Sequence, residues 1–139
     1  MKCRSLRLSV AVVFMLALVG CAEQAKHRAV VADTGVYTAL VAFHAVEVQL
    51  YESHQLTADQ HQRINARLEP IVIAGRDLNR IVAAWPAGQP APAEIKTLAD
   101  QIRGLAFDML TLLPDGSTKS MLLSALIPVE SAVLALLTI

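Results

Sequence analysis

The stretch TADQHQRINARLEPIVIAGRDLNRIVAAW, residues 57–85, decides the fold. Within it Ile64, Leu68, Ile71, Gly75, Leu78, Val82 and Trp85 recur at alternating steps of four and three. An α-helix turns once every 3.6 residues, so this rhythm lines one face and reads as the seam of a helix packed among others. Thr57-Ala58-Asp59-Gln60 fits a capping box: the threonine hydroxyl accepts from the third residue's amide while Gln60 reaches back. Gly75 lies inside the seam, where glycine costs about 1 kcal/mol relative to alanine, and a close helix crossing there would offset it. Glu69, Arg76 and Arg80 fall on the opposite, solvent side.

Toward the N-terminus, Asp33-Thr34 offers a helix start. Two apolar stripes follow it. One is Val36, Ala39, Phe43, Val46 and Leu50; the other is Tyr37, Val41, His44, Val48 and Tyr51. Together they predict one wide buried face. Toward the C-terminus, Pro86 to Pro92 (PAGQPAP) ends the quoted helix as a stiff connector, and Pro92 suits the first turn of the next. Ile95, Leu98, Ile102, Leu105, Met109 and Leu112 make a third seam. Pro114-Asp115-Gly116-Ser117 is a turn, and a last helix from about Thr118 turns Leu122, Ala125, Val129, Ala132, Val133 and Leu136 inward. Pro128 is expected to kink it or open one hydrogen bond. Short connections favour antiparallel neighbours, so residues 33–139 are predicted to form an all-α, up-down-up-down four-helix bundle.

The first twenty residues read as an address. Lys2, Arg4 and Arg7 precede an uncharged run from Leu8 to Val19, about 18 Å long as a helix against a hydrocarbon core of about 30 Å. That is short for a permanent span and right for the apolar region of a signal peptide. Leu18-Val19-Gly20-Cys21 follows. It resembles the lipobox of bacterial lipoproteins, in which small residues let a peptidase reach the backbone and a thiol accepts diacylglycerol. The resemblance covers about 21 residues. It implies a cleaved signal helix (1–20), cleavage between Gly20 and Cys21, and a thioether-linked diacylglycerol with an N-acyl chain on Cys21. Residues 21–32 then read as a lipid-anchored tether, partly helical. The implied partner is a membrane, and the implied place is the cell envelope. Ala22 rather than aspartate after the cysteine suggests the periplasmic face of the outer membrane in a Gram-negative cell.

Composition removes several classes of function. Of 139 residues, 55% are hydrophobic and 17% charged, which argues against a disordered tail. Twelve basic residues balance twelve acidic ones without a basic cluster, which argues against nucleic-acid binding. Loss of residues 1–20 would remove Lys2, Arg4 and Arg7, leaving an acidic chain, and would take Cys3 with them. An acylated Cys21 leaves no intrachain disulfide, so packing alone must hold the fold.

Candidate chemistry is sparse. His54 and His61 flank the first turn with Glu52 and Asp59 nearby, a weak metal-ligand set. His44 and Glu47 share a side of the first helix, but no Glu-x-x-His motif of the kind used by di-iron bundles occurs. No nucleophile stands at useful spacing from a base, and there is no phosphate-binding glycine loop. Asp77 and Arg80 suit a surface ion pair, and no cofactor is implied beyond the acyl groups. Met121 to Ile139 carries a single charge, Glu130. That helix is the bundle's central one, a face for self-association or an envelope partner, or a membrane-contacting segment that perturbs the bilayer. Glu130 near its middle opposes insertion by about 2.5–3.5 kcal/mol. Trp85, Leu123, Ile127 and Leu134 are the candidate interaction surface, with Trp85 alternatively capping the core. The leading expectation is a non-catalytic binding or scaffold module. A metal-binding or enzymatic bundle using His54 and His61 is the alternative.

Overall fold

The computed structural model describes the backbone of residues 3–113 and 115–139, and side chains from Glu23 onward with Pro114 excepted. Four helices follow in order: α1 (Cys3–Glu52), α2 (Ala58–Ala84), α3 (Ala93–Leu110) and α4 (Ser117–Leu137). The protein is an all-α four-helix bundle. Each helix packs on its sequence neighbours and α4 closes the ring against α1, while the diagonal pairs α1–α3 and α2–α4 do not meet among the described residues.

The start of α1 differs from the expected tether and helix start. Nothing between Ala22 and Asp33 breaks a helix, and the small residues Ala25, Ala29 and Ala32 carry the core spacing back toward Cys21. Ala29 and Ala32 are buried. Lys26 Nζ donates to the Trp85 carbonyl, fastening this end to the α2–α3 connector. Thr34 does not cap; its hydroxyl donates to the Val30 carbonyl within the helix at 2.9 Å. The packed bundle therefore begins near Ala25 rather than Asp33.

Beyond Glu52 the chain turns through His54, at φ 59°, while the amides of Gln55 and Leu56 both reach the Leu50 carbonyl. That is a left-handed helix end made without glycine. The capping box forms as expected: the Gln60 amide donates to Thr57 Oγ1 at 3.2 Å, and the Thr57 amide to Gln60 Oε1 at 2.9 Å. The α2 seam is buried at Ile64, Leu68, Ile71, Leu78, Val82 and Trp85. At its centre Ala74 rather than Gly75 turns inward. A methyl on Gly75 would meet only the tip of Leu40 at 3.9 Å, whereas one on Gly35 would stand 3.3 Å from Ala132 Cβ. The tight crossing is thus between α1 and α4, at Gly35.

In α3 the third seam is buried at Ile95, Ile102 and Met109, while Leu98, Leu105 and Leu112 are half-buried and Ala99 turns inward beside Leu98; Pro92 stands one residue earlier than expected, at the N-cap. The turn before α4 uses Gly116 at φ 93°, where a side chain is strained; Pro114 lies outside the described residues. Helix α4 buries Leu122, Leu126, Val129, Val133 and Leu136 and continues through Pro128. It is not the central helix. It occupies one corner of the ring and leaves Met121, Ile127 and Leu134 exposed.

Candidate functional site

The inner seam of α1 runs Ala29, Asp33, Val36, Leu40, Phe43, Glu47 and Leu50, and all seven are buried. Two carboxylates therefore occupy core positions of one helix. A carboxylate away from water needs donors or a counter-charge, because removal from water costs several kcal/mol. Both find partners on α2.

At the Cys21 end, Asn79 Nδ2 donates to Asp33 Oδ2 at 2.6 Å. Burial pushes the Asp33 carboxyl above its ordinary range, and the Asn79 hydrogen bond pulls only partly against it. At the far end, Glu47 is fully buried between two imidazoles. His61 Nδ1 meets its Oε1, and His44 Nδ1 stands 3.5 Å from its Oε2. Oε2 has no hydrogen-bond partner. The His61 ring is held from both sides: Tyr51 stacks on it, with centroids 4.1 Å apart and planes 8° from parallel, and Asn65 Nδ2 lies 3.2 Å from Nε2. Carboxylate, imidazole and phenol thus form a layered clamp joining α1 to α2.

Between these two cross-links the helices leave an open groove of about 950 Å³. Val36, Leu40, Leu68 and Val72 form apolar walls, with His44 and Asn65 at one end and Asp33 and Asn79 at the other. Tyr37, Val41 and Ile73 stand on its rim at 72%, 53% and 51% exposure. The second apolar stripe of α1, expected to be buried with the first, therefore faces solvent at Tyr37, Val41, His44 and Tyr51. Glu69 and Arg76 also line the groove.

The remaining predicted site residues separate. His61 turns to Glu47, not to His54, which is exposed in the turn. No three His, Cys, Asp or Glu side chains among the described residues are arranged to hold a metal ion. Trp85 is 1% exposed, with Nε1 donating to the Gln89 carbonyl at 3.0 Å, so it closes the core and is removed from the interaction surface. Leu123 is half-buried, whereas Ile127 and Leu134 are exposed on α4. Arg80 and Asp77 form the expected ion pair. The side chain of Cys21, and Gly20 beside it, lie outside the residues whose side chains are described. Glu23–Glu52 and Ser117–Leu137 are each long and apolar enough to cross a membrane, though each also turns one side into the core.

Sequence reasoning missed the Glu47–His61 pair, although a signal was present. Counted as Val36, Leu40, Phe43, Glu47, Leu50, the inner seam keeps its four-three rhythm only if a carboxylate is admitted to it. A charged residue at a seam position asks for a partner on the facing helix. Compared with protein families, with curated proteins and with solved structures, the chain matches none.

Proposed function

We propose that this protein is a lipid-anchored component of a bacterial cell envelope, acting as a non-catalytic binding or scaffold module. The observation that carries the reading is Leu18-Val19-Gly20-Cys21 placed directly after a basic start and a short apolar run. Two or three acyl chains on Cys21, at about 0.8 kcal/mol per buried methylene, anchor a protein durably.

The shape of the bundle suits that role. Core packing begins at Ala25, four residues past Cys21, which is about 6 Å along a helix. An anchor at Cys21 would hold the Lys26–Trp85 end close to the lipid headgroups. The Glu47 clamp would then stand about 39 Å from Cys21 along α1. Between the two lies the open groove, with apolar walls at Val36, Leu40, Leu68 and Val72 and polar or charged side chains at its ends and rim. A recess with apolar walls and polar ends binds; it does not by itself do chemistry.

The test is metabolic labelling of the full chain with an alkyne fatty acid in a bacterial host. The expected result is labelled protein that loses its label in a Cys21→Ser variant. Unlabelled wild-type protein, or equal labelling of both, contradicts the reading.

A further inference from the structure

The face that bears the groove has a symmetry that says what covers it. Its α1 wall carries Thr34, Tyr37, Val41 and His44 at steps of three, four and three; its α2 wall carries Asn65, Glu69, Val72, Arg76 and Asn79 at four, three, four and three. Both walls therefore have the spacing by which one helix receives another. Glu69 and Arg76 are opposite charges two helical turns apart, about 10.5 Å, and neither has an ion-pair partner among the described residues. Val72 and Ile73 sit midway between them. The Asp33–Asn79 and Glu47–His61 cross-links bring that midpoint level with Thr38 and Ala39 of α1, which is also midway between Tyr37 and Val41.

We infer that the face of α1 and α2 that bears the groove packs against the same face of a second copy of this chain, related by a two-fold axis that passes by Ile73 and sets the two bundles antiparallel. That axis brings Glu69 of each copy opposite Arg76 of the other, and Tyr37 opposite Val41. A two-fold interface must be self-complementary, and reciprocal opposite charges around an apolar centre satisfy that condition. A parallel pairing would set α2 of each copy against α1 of the other, where Glu69 and Arg76 meet the Tyr37–Val41 stripe instead of each other. The exposed stripe of α1 supplies the apolar area, and the polar groove ends remain at the rim. The Cys21 ends of such a pair point in opposite directions, so a pair anchored through both joins two facing membranes rather than sharing a leaflet. The pairing itself does not depend on the anchor.

The experiment is oxidative crosslinking of the purified full chain, with Cys3 and Cys21 replaced by serine, in mild detergent. Ile73→Cys places a thiol beside the axis; Ile127→Cys, exposed on α4, is the control. The expected result is a covalent dimer from Ile73→Cys and none from Ile127→Cys. In the Ile73→Cys background, Glu69→Arg is expected to cut dimer yield about tenfold by setting arginine against arginine. Adding Arg76→Glu to it restores the yield, because the exchanged pair is again complementary. Monomer only, equal dimer from both cysteines, an adduct to a different polypeptide, or a Glu69→Arg variant that crosslinks undiminished would each overturn the inference. The loss and its recovery separate pairing from a folding defect, since a misfolded single variant would not be rescued by a second surface change.

Discussion

Helix α1 carries two apolar stripes with the same rhythm and opposite fates. Phe43 on the inner stripe is fully buried, while Val41, two residues away, is 53% exposed. The inner stripe contains two carboxylates, Asp33 and Glu47; the outer one contains none and carries Tyr37 and Tyr51 instead. The inner stripe is still the better core, because Val36, Leu40, Phe43 and Leu50 outweigh its two acids, whereas the outer one has only Val41 and Val48 among Tyr37, His44 and Tyr51. The acids can be buried because they are matched on α2: Asp33 by Asn79, Glu47 by His61. Those two cross-links, fourteen residues apart on α1, allow only one rotation of the helix about its axis. Buried polar pairs thus act here as register marks, in the manner of a polar residue in a coiled-coil seam.

The contrast can be broken most forcefully at Phe43. Phe43→Ala leaves a cavity in the ring and is expected to lower stability by about 3–5 kcal/mol in urea melts. A loss below about 1 kcal/mol would mean that the inner stripe is not the core.

Next in size is the clamp. His61→Ala strands the fully buried Glu47 carboxylate and is expected to cost about 2 kcal/mol, a group left without its partner costing more than the pair contributes. Replacing both, as Glu47→Leu with His61→Leu, is expected to recover most of that loss, because an apolar pair needs no donors. A double variant as unstable as the single one would argue that the pair does more than fix register.

A smaller, pH-dependent effect belongs to Asp33. Its carboxyl titrates above the ordinary value because burial disfavours the charge. A raised folded pKa means that the native state holds the proton more tightly than the unfolded chain does. The resulting stability is fully present below the unfolded value of 3.8 and is lost as pH rises through the folded pKa. Asp33→Asn removes that loss while keeping an acceptor for Asn79. Melts across this range are expected to show the variant gaining on wild type as pH rises from 3.5 toward 7; a constant difference would place Asp33 outside the core.

The smallest effect is expected at the outer stripe. At concentrations where the chain is monomeric, Val41→Ala should change stability by less than about 0.5 kcal/mol, since the side chain is already largely in water. The difference between Val41→Ala and Phe43→Ala, neighbours on one helix, measures the contrast directly.

Much of the fold was legible because it is written locally. The capping box at Thr57, the stops at Pro86 to Pro92 and the single seams of α2 and α3 each depend on a few consecutive residues. The rotation of α1 was not legible, because it depends on partners in another helix: Glu47 meets a histidine fourteen residues on, past a turn. For the same reason His61 read as a companion of His54, its neighbour across the turn, and Gly75 as the tight crossing that Gly35 makes against Ala132. The tether failed for a different reason. A run of alanines and short charged segments between Ala22 and Ala32 has no strong signal of its own, and it packs because its alanines join the core and Lys26 reaches the Trp85 carbonyl. The groove was hidden by a correct observation, two stripes at helical spacing, joined to an assumption that both have partners within one chain.

Whether this bundle is tied to lipid decides where it can act. Intact-mass and peptide mass spectrometry of the protein purified from bacterial membranes tests it most directly. The predicted spectrum shows a chain beginning at Cys21, heavier than its sequence by a diacylglyceryl group and an amide-linked acyl chain, with both additions on the first residue. A chain still carrying residues 1–20, with an unmodified Cys21 thiol, would contradict it.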